Sequence, residues 1–352
     1  MTLSKPTPML MVIVFFTGFL LSSCDEKPIK PDVSNIKVDL KMKRFEKDFF
    51  ALDTNNLDKG FEKLRLDYHD FLNDFTGKIL GLEGKDTSQW ELAIKTFIRD
   101  YRPIYDSAQK IDKGIQMAET ETEEGLRHVK YYFPDYKLPE EFISFIGPID
   151  AFAYGQTGGS GDIITRFGLC AGLQLHLGSN SMVYKSDAGL QLYPEYISRK
   201  FNTENIVVNC MKNIIDDIYP PLNPGGTMVD ILVDHGKRMY LLDIFLPDVE
   251  EAIKLGYTEQ QMKAVQEAEG FVWNYFSENN LLFETDLLKI RSFVTDGPST
   301  DVFGLGSPGF ISLYTGRQMI RVYMKKHPTT SLNALLSLDA KKILSDSGYR
   351  PK

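Results

Sequence analysis

One stretch of sequence, from Pro224 to Asp248, limits the possible folds of this chain more than any other. It opens on turn residues, and Thr227 is placed to cap the amino end of a helix. Residues then recur at alternating steps of four and three, which puts them on one helix face. They are Met228, Leu232, His235, Met239, Leu242 and Leu246. The spacing predicts a helix whose apolar stripe is covered by the rest of the fold.

The polar residues of this helix are expected to lie away from the stripe. Asp230, Asp234, Lys237 and Arg238 fall on its other faces. Asp234 and Arg238 stand four residues apart, which predicts an ion pair along the helix. The exception is His235, because a histidine on an inward face is the first place to look for a metal or a proton shuttle.

The residues around His235 argue against a zinc site. A zinc peptidase helix carries His-Glu-x-x-His, so that two imidazoles bind one metal and the glutamate activates water. Here Gly236 follows His235, and Met239 stands four residues on. Shifting the frame by one puts Asp234 and Arg238 at the ligand positions, and arginine is not a ligand. A core histidine or a polar packing contact is favoured over a lone remaining ligand, and no metal, cofactor or catalytic residue is predicted.

The amino-terminal residues have the pattern of an export signal. Met9 to Leu21 is apolar but too short for a spanning helix, and small residues follow it. Leu21-Ser-Ser-Cys24 has the form of a bacterial lipoprotein signal. We therefore predict a signal peptide over residues 1–23, lipid on Cys24 that holds the protein to a membrane, and a polar tether over residues 24–35.

The remainder, residues 36–352, is predicted to be a single α+β domain. Hydrophobic residues make up 43% of the chain, enough for a substantial core. Helical patterns fill residues 50–135 and 195–352, and strand patterns fill residues 141–185, including one strand at Leu173 to Gly178. The Gly-rich segment from Gly155 to Gly161 is interpreted as a hairpin loop. A net charge of −8 without a long basic run argues against nucleic acid as a partner.

The remaining histidines and cysteines are assigned structural roles. His69, His128 and His327 are expected to be solvated or to cap helices, and His176 to lie on a sheet surface. Cys170 and Cys210 could pair in an oxidising compartment or remain buried thiols. Glu267 and Glu269 are interpreted as an ordinary pair on the surface of one long helix that Thr258 begins with a capping box.

Short segments spread over nearly the whole mature chain form a specific combination. They are Lys37-Val-Asp39, Arg44-Phe-Glu-Lys-Asp-Phe-Phe50, Tyr193-Pro-Glu-Tyr-Ile-Ser-Arg-Lys-Phe201, Glu204-Asn-Ile206, Gly236-Lys-Arg-Met-Tyr-Leu-Leu-Asp243, Leu246-Pro-Asp248, Gly256-Tyr-Thr-Glu-Gln260, Trp273-Asn-Tyr-Phe276, Ser307-Pro-Gly309, Gly316-Arg-Gln-Met-Ile-Arg-Val-Tyr-Met324 and Ser347-Gly-Tyr-Arg-Pro351. In these the chain resembles the gliding-motility lipoprotein GldB family of gliding bacteria with type IX secretion. It departs from the family pattern at Asp234-His235 and at Phe310.

The resemblance implies a lipid-anchored accessory protein of the cell envelope. It would face the periplasm and support the gliding and secretion machinery through protein contacts. The order of sheet, central helix and later helices is also similar to that of zinc peptidases, which implies a peptidase-like fold without its metal motif. On that likeness Glu269 lies on the helix of the third ligand, and Tyr314 and Arg317 lie near transition-state contacts.

Two functions of different classes are therefore weighed. The first is the non-catalytic accessory protein, with Asp234, His235, Glu269, Tyr314 and Arg317 lining a degenerate site or groove. The alternative is a residual metal-dependent peptidase or hydrolase that uses His235 and Glu269. Aromatic residues, 12% of the chain, leave glycan binding as a third possibility.

Overall fold

The helix predicted from the opening stretch is the centre of the fold. In the computed structural model, which describes residues 30–151, 161–166, 168–221 and 225–352, this helix (α10) runs over Met228–Phe245. Thr227 caps it as predicted: its hydroxyl accepts a hydrogen bond from the Asp230 amide, and the Asp230 carboxylate accepts one from the Thr227 amide at 2.8 Å. The helix ends at Phe245, and Leu246 caps it just before Pro247.

This helix is buried on more faces than the stripe predicted. Asp234 and Lys237, expected to lie on outer faces, are only 8% and 3% exposed. Lys237 donates to the carbonyl oxygens of Leu336 and Leu338, which satisfies its buried charge. The predicted ion pair is confirmed, with Arg238 Nε 2.9 Å from a carboxylate oxygen of Asp234.

The other helices fall into three groups along the chain. Before the sheet come α1 Phe45–Phe50, α2 Leu57–Asp74, α3 Thr87–Asp100, α4 Arg102–Ala108 and α5 Asp112–Tyr132. Between the sheet and the central helix come α6 Met182–Lys185, α7 Asp187–Leu192, α8 Glu195–Ser198 and α9 Glu204–Ile218. After it come α11 Glu251–Leu255, α12 Glu259–Glu267, α13 Glu269–Glu278, α14 Leu287–Val294, α15 Ser312–Lys326, α16 Leu332–Ser337 and α17 Ala340–Ser347. Single 3₁₀ turns occur at Gln109–Ile111, Leu173–Leu175, Leu281–Phe283 and Asp301–Phe303, and a π turn at Phe75–Ile79.

A four-stranded mixed sheet packs among these helices. Its strands are β1 Lys41–Arg44, β2 Glu141–Phe145, β3 Ile163–Ile164 and β4 Gly168–Gly172. They lie in the order β1-β2-β4-β3; β2 is parallel to β1 and β4, and β3 is antiparallel to β4. All five residues of β4, which lies between β2 and β3, are buried. The fold is α+β, mostly helical with one small sheet, as the sequence predicted.

The tightest packing of α10 is against α15. A side-chain carbon added at Gly316 would lie 1.9 Å from the carbonyl oxygen of Leu232, and one at Gly236 would lie 2.3 Å from the carbonyl oxygen of Gly316. The two backbones therefore approach as closely as glycine allows at both positions. This contact fixes the position of α15, and with it the positions of Tyr314 and Arg317.

Several local predictions were wrong. The segment from Leu173 to Gly178 is not a strand: it forms a 3₁₀ turn, and the strand lies just before it at Gly168–Gly172. The long helix predicted from Thr258 breaks at Ala268, where the dihedral angles leave the helical range. The predictions for residues 1–23, for Cys24 and for most of the loop from Gly155 to Gly161 lie outside the described residues. Within the described ranges no helix combines the length and apolar character needed to cross a bilayer.

Candidate functional site

The structure divides the five predicted site residues among separate contacts. His235 lies on α10, and its Nδ1 is 2.9 Å from the hydroxyl oxygen of Ser312 at the start of α15. Its ring also packs edge-on against Phe310 at a centroid distance of 5.1 Å. Burial lowers the pKa of His235 to about 4, so the imidazole is neutral at physiological pH. Its observed contacts are those of a packing residue.

Glu269 and Tyr314 are brought together, but in a hydrogen-bonded group of their own. Glu269 begins α13, and its carboxylate accepts hydrogen bonds from the hydroxyls of Tyr314 at 2.9 Å and Tyr349 at 2.6 Å. The side-chain amide of Gln318 donates to it as well, at 3.4 Å. The interpretation of Glu269 as a surface partner of Glu267 was therefore wrong, because this carboxylate joins α13, α15 and the carboxyl-terminal segment.

Arg317 belongs to a different group of contacts, which lies at the carboxyl end of α10. Its side chain is 1% exposed. Its Nε and Nη2 donate to the two carboxylate oxygens of Asp243 at 2.7 and 3.0 Å, and its Nη1 donates to Glu251 at 3.0 Å. Paired donors facing paired oxygens form the strongest geometry for an arginine–carboxylate contact.

Two further cations complete this group. Lys254 Nζ lies 2.8 Å from Asp243, and Arg321 Nη2 lies 3.2 Å from Asp243 and 2.9 Å from Glu251. We call these five residues, Asp243, Glu251, Lys254, Arg317 and Arg321, the ion cluster. With three cations and two carboxylates it carries one net positive charge when all are ionised. It ties α10, α11 and α15 together.

The cations of the ion cluster lower the pKa values of its two carboxylates, Asp243 and Glu251. Burial alone would raise the pKa of Glu251, but hydrogen bonds and charge from Arg317 and Arg321 outweigh it and lower this pKa to about 2. The same opposition lowers the pKa of Asp243 below its usual range, since the arginines and Lys254 more than offset its burial. Both carboxylates therefore stay ionised at neutral pH.

Two concave surfaces adjoin the carboxyl end of α10. The first has a volume of about 200 Å³ and is lined by the ion cluster residues except Arg317, together with Lys30, Pro31, Tyr132, Ile244, Pro247 and Asp248. We call it the ion groove. The second has a volume of about 230 Å³ and shares Pro247 and Asp248 with the first; its other lining residues are Glu121, Glu124, Gly125, Glu204, Phe245, Leu246, Val249, Glu250 and Ile253. We call it the acidic groove.

Two histidines that the sequence placed on the surface are buried. His176, expected on a sheet surface, is 1% exposed and lies 2.8 Å from the Asp162 carboxylate. Its other ring nitrogen faces the Asn202 carbonyl at 3.0 Å, so both nitrogens meet acceptors and the ring is an imidazolium. Burial disfavours this charge, but Asp162 outweighs it and raises the pKa of His176. The prediction failed because the 3₁₀ turn points His176 inward.

His128 was also predicted to be solvated, and it is fully buried. Neither of its ring nitrogens has a hydrogen-bond partner in the described part of the chain, and Glu124 is 3.8 Å from its Nε2. Burial lowers its pKa, so it is held as a neutral side chain. The two described cysteines, Cys170 and Cys210, are buried free thiols rather than a disulfide.

Most residues of the ion cluster were not predicted from the sequence. Asp243 and Arg321 lie within segments that carry the family resemblance, but Glu251 and Lys254 do not. Arg317 and Arg321 stand one helical turn apart on α15, which signals a shared partner but does not say which carboxylates supply it. Across the described ranges there is no group of three or more His, Cys, Asp or Glu side chains that could hold a metal ion.

The fold and site define a mainly helical α+β protein in which buried ion pairs fix the central helices and two grooves open at one end. The family model for the gliding motility protein GldB matches residues 26–351. The chain belongs to this family, as the resemblance indicated, and a role in gliding motility follows from it. No curated protein and no solved structure matches the chain.

Proposed function

We propose that the protein is a lipid-anchored, non-catalytic accessory protein that supports gliding motility and the type IX secretion machinery through protein contacts in the periplasm. Family membership carries the motility role. The finer statements on anchoring, secretion and the mode of action are our proposal. They rest on the family resemblance, on the sequence before Cys24, on the contacts of the predicted site residues and on the position of Lys30.

The observation that carries the non-catalytic assignment is that the polar groups of the predicted site are held by internal contacts. Arg317 is bound by two carboxylates, and Glu269 accepts hydrogen bonds from three side chains. His235 is packed against Ser312 and Phe310. A catalytic base or metal ligand must face a space where substrate or metal can sit. These groups instead stabilise the arrangement of α10, α13 and α15.

With lipid on Cys24, the position of the first described residues would put the grooves near the membrane. Lys30 forms an ion pair with Asp248, which lines both grooves. Cys24 stands six residues earlier in the sequence. A chain of that length reaches about 20 Å at most. Lipid on Cys24 would keep both grooves within that distance of the bilayer, where membrane-bound partners are found.

Cross-linking in intact cells tests the proposed protein contacts. We expect the wild-type chain to capture components of the gliding or secretion machinery, and a Cys24→Ser variant at equal abundance to capture fewer of them, because it is no longer held at the membrane. Recovery of no such component above the Cys24→Ser background would contradict the proposal.

Metal analysis tests the non-catalytic assignment separately. Protein purified without chelators is compared with a His235→Ala variant, and a Glu267→Ala variant serves as the control because Glu267 is exposed. We expect no stoichiometric zinc in any of the three. Zinc bound at one equivalent in the wild type and lost only in His235→Ala would replace the proposal with a metal-dependent hydrolase.

A further inference from the structure

We infer that the acidic groove docks a segment of a partner protein that carries a lysine or arginine beside an apolar side chain. The inference rests on the proposed function, and it adds the place of contact and the chemistry of the partner. It is carried by the shape of the groove, its apolar floor and its uncompensated negative charge.

The groove lies where three parts of the fold meet. Helix α5 forms one wall, the first residue of α9 forms another, and the turn between α10 and α11 closes the third side. Phe245 and Leu246 are buried beneath it. Val249 and Ile253 are partly exposed and offer an apolar surface to whatever enters. The floor can therefore hold an aliphatic side chain out of water.

The rim of the groove is acidic and contains no basic residue. Five carboxylates line it, those of Glu121, Glu124, Glu204, Asp248 and Glu250. Two of these are paired from outside the groove, Glu124 with Arg127 and Asp248 with Lys30. The remaining three have no Lys or Arg within ion-pair distance in the described part of the chain. The groove therefore presents an excess of negative charge.

The ionisation of Glu121 reflects its position in the groove. Partial burial raises the pKa of Glu121, and the negative charge of Glu204 adds to this effect. An approaching cation would relieve that repulsion. The carboxylates of the groove do not form a group that could bind a metal ion within the described residues, so a bare divalent cation fits less well.

A lysine or arginine side chain matches both halves of this surface. Its methylene stem can lie along Val249 and Ile253 while its charged head reaches the rim. Arginine can also bind a carboxylate through two parallel hydrogen bonds. A neighbouring apolar residue of the same segment would fill the floor. Charge complementarity of this kind selects partners and raises the rate of encounter.

Peptide binding to the mature chain with Cys24→Ser tests the inference. The probe is the fluorescein-labelled peptide Gly-Leu-Arg-Leu-Lys-Gly, compared by anisotropy with Gly-Leu-Glu-Leu-Glu-Gly and with Gly-Ser-Arg-Ser-Lys-Gly. We expect the first to bind at least about tenfold more tightly than either of the others, because only it supplies both cations and apolar side chains. Equal binding of the first and third peptides would mean that the apolar floor does not contribute to binding, and would overturn the inference.

Two double variants with the same change of charge locate the binding. Glu121→Gln/Glu204→Gln removes two charges from the groove, and Glu259→Gln/Glu267→Gln removes two exposed charges from α12. The first should weaken binding of the basic peptide about tenfold, and the second should leave it unchanged. Equal weakening by both would mean attraction to the net charge of the protein alone, and would overturn the inference.

The tether of the same chain is a competing occupant, since it contains Lys27 and Ile29. Deletion of residues 25–29 should leave peptide affinity unchanged; a gain of about tenfold or more would assign the groove to the tether instead. In cells, cross-linking separates this inference from the proposed function. If the wild type captures machinery components and Glu121→Gln/Glu204→Gln captures them equally well, the proposed function stands and the acidic groove is not the contact.

Discussion

The ion cluster predicts that its two central residues differ in their effect on stability. Replacing Asp243 by Asn leaves Lys254, Arg317 and Arg321 facing only Glu251, so the buried excess of positive charge rises from one to two. Replacing Arg317 by Gln leaves two cations facing two carboxylates, so the excess falls to zero. Both variants lose the paired hydrogen bonds between Arg317 and Asp243, at 2.7 and 3.0 Å. Only the first increases the uncompensated buried charge.

The expected magnitudes follow from this difference. Breaking a buried ion pair by removing one partner costs about 3–5 kcal/mol, because the remaining charge is left without compensation. Asp243→Asn should therefore lower the free energy of unfolding by about 4 kcal/mol. Arg317→Gln should lower the free energy of unfolding by only about 2 kcal/mol, which is the usual contribution of hydrogen bonds to a charged group. The loss is smaller because Asp243 keeps Lys254 and Arg321 as partners. The double variant Asp243→Asn/Arg317→Gln should be more stable than Asp243→Asn alone, because it returns the buried excess of positive charge from two to one.

Urea unfolding of the mature chain, followed by circular dichroism at neutral pH, measures these values. Lys342→Gln is the control: it breaks an ion pair with Asp346 on the exposed surface of α17, and no measurable change is expected. Equal losses for Asp243→Asn and Arg317→Gln would refute the charge argument, and so would a double variant less stable than either.

Acidification provides a second measurement of the same cluster. The pKa of Glu251 falls from 4.5 to about 2 on folding, so its contribution to stability is present above the unfolded value and lost as pH falls towards 2. In Arg317→Gln this pKa should lie closer to its usual range. The gap in stability between wild type and Arg317→Gln should therefore narrow between about pH 4.5 and 2. A gap that stays constant over this range would contradict the assignment.

Three further predictions concern other parts of the fold. Gly316→Ala should lower stability by about 3 kcal/mol or more, because the new carbon would lie 1.9 Å from a backbone oxygen, whereas Gly77→Ala has open space and should be neutral. His176→Gln should have a lower free energy of unfolding than wild type below about pH 6.5. This difference should narrow as pH rises through the raised pKa of His176, and a difference that widens would contradict the assignment of His176 as an imidazolium. Burial raises the pKa of the thiols of Cys170 and Cys210, so neither should react with a thiol reagent until the protein unfolds.

The sequence predicted best where the signal is local. Thr227 was expected to cap its helix and Thr258 to form a capping box, and both residues form capping boxes. These predictions succeeded because a cap depends on residues within one helical turn. The fold class followed from the same periodic patterns. The break at Ala268 was missed because Ala268 itself favours helix and no proline stands near it, so the periodic pattern continues across the break.

The candidate site was less predictable, because its contacts join distant segments. Arg317 was singled out, but its partner Asp243 stands 74 residues away, and nothing in one sequence pairs them. His176 was misplaced because an alternating pattern fits a strand and a 3₁₀ turn equally well over five residues. The zinc-peptidase likeness, the single-domain boundary and the lipid on Cys24 stay predictions.

The parallel pairing of β1 with β2 has a consequence for how the chain reaches its native state. Lys41 pairs with Glu141, so about 100 residues must be closed into a loop before these strands meet. Strand β4 then lies between β2 and β3, so the sheet cannot be completed until Gly172 is available. Because chains are synthesised from the amino end, helices α1 to α5 are made before strands β2 and β4 are available. Chains truncated before Gly168 should therefore be cleaved by protease as readily as unfolded protein.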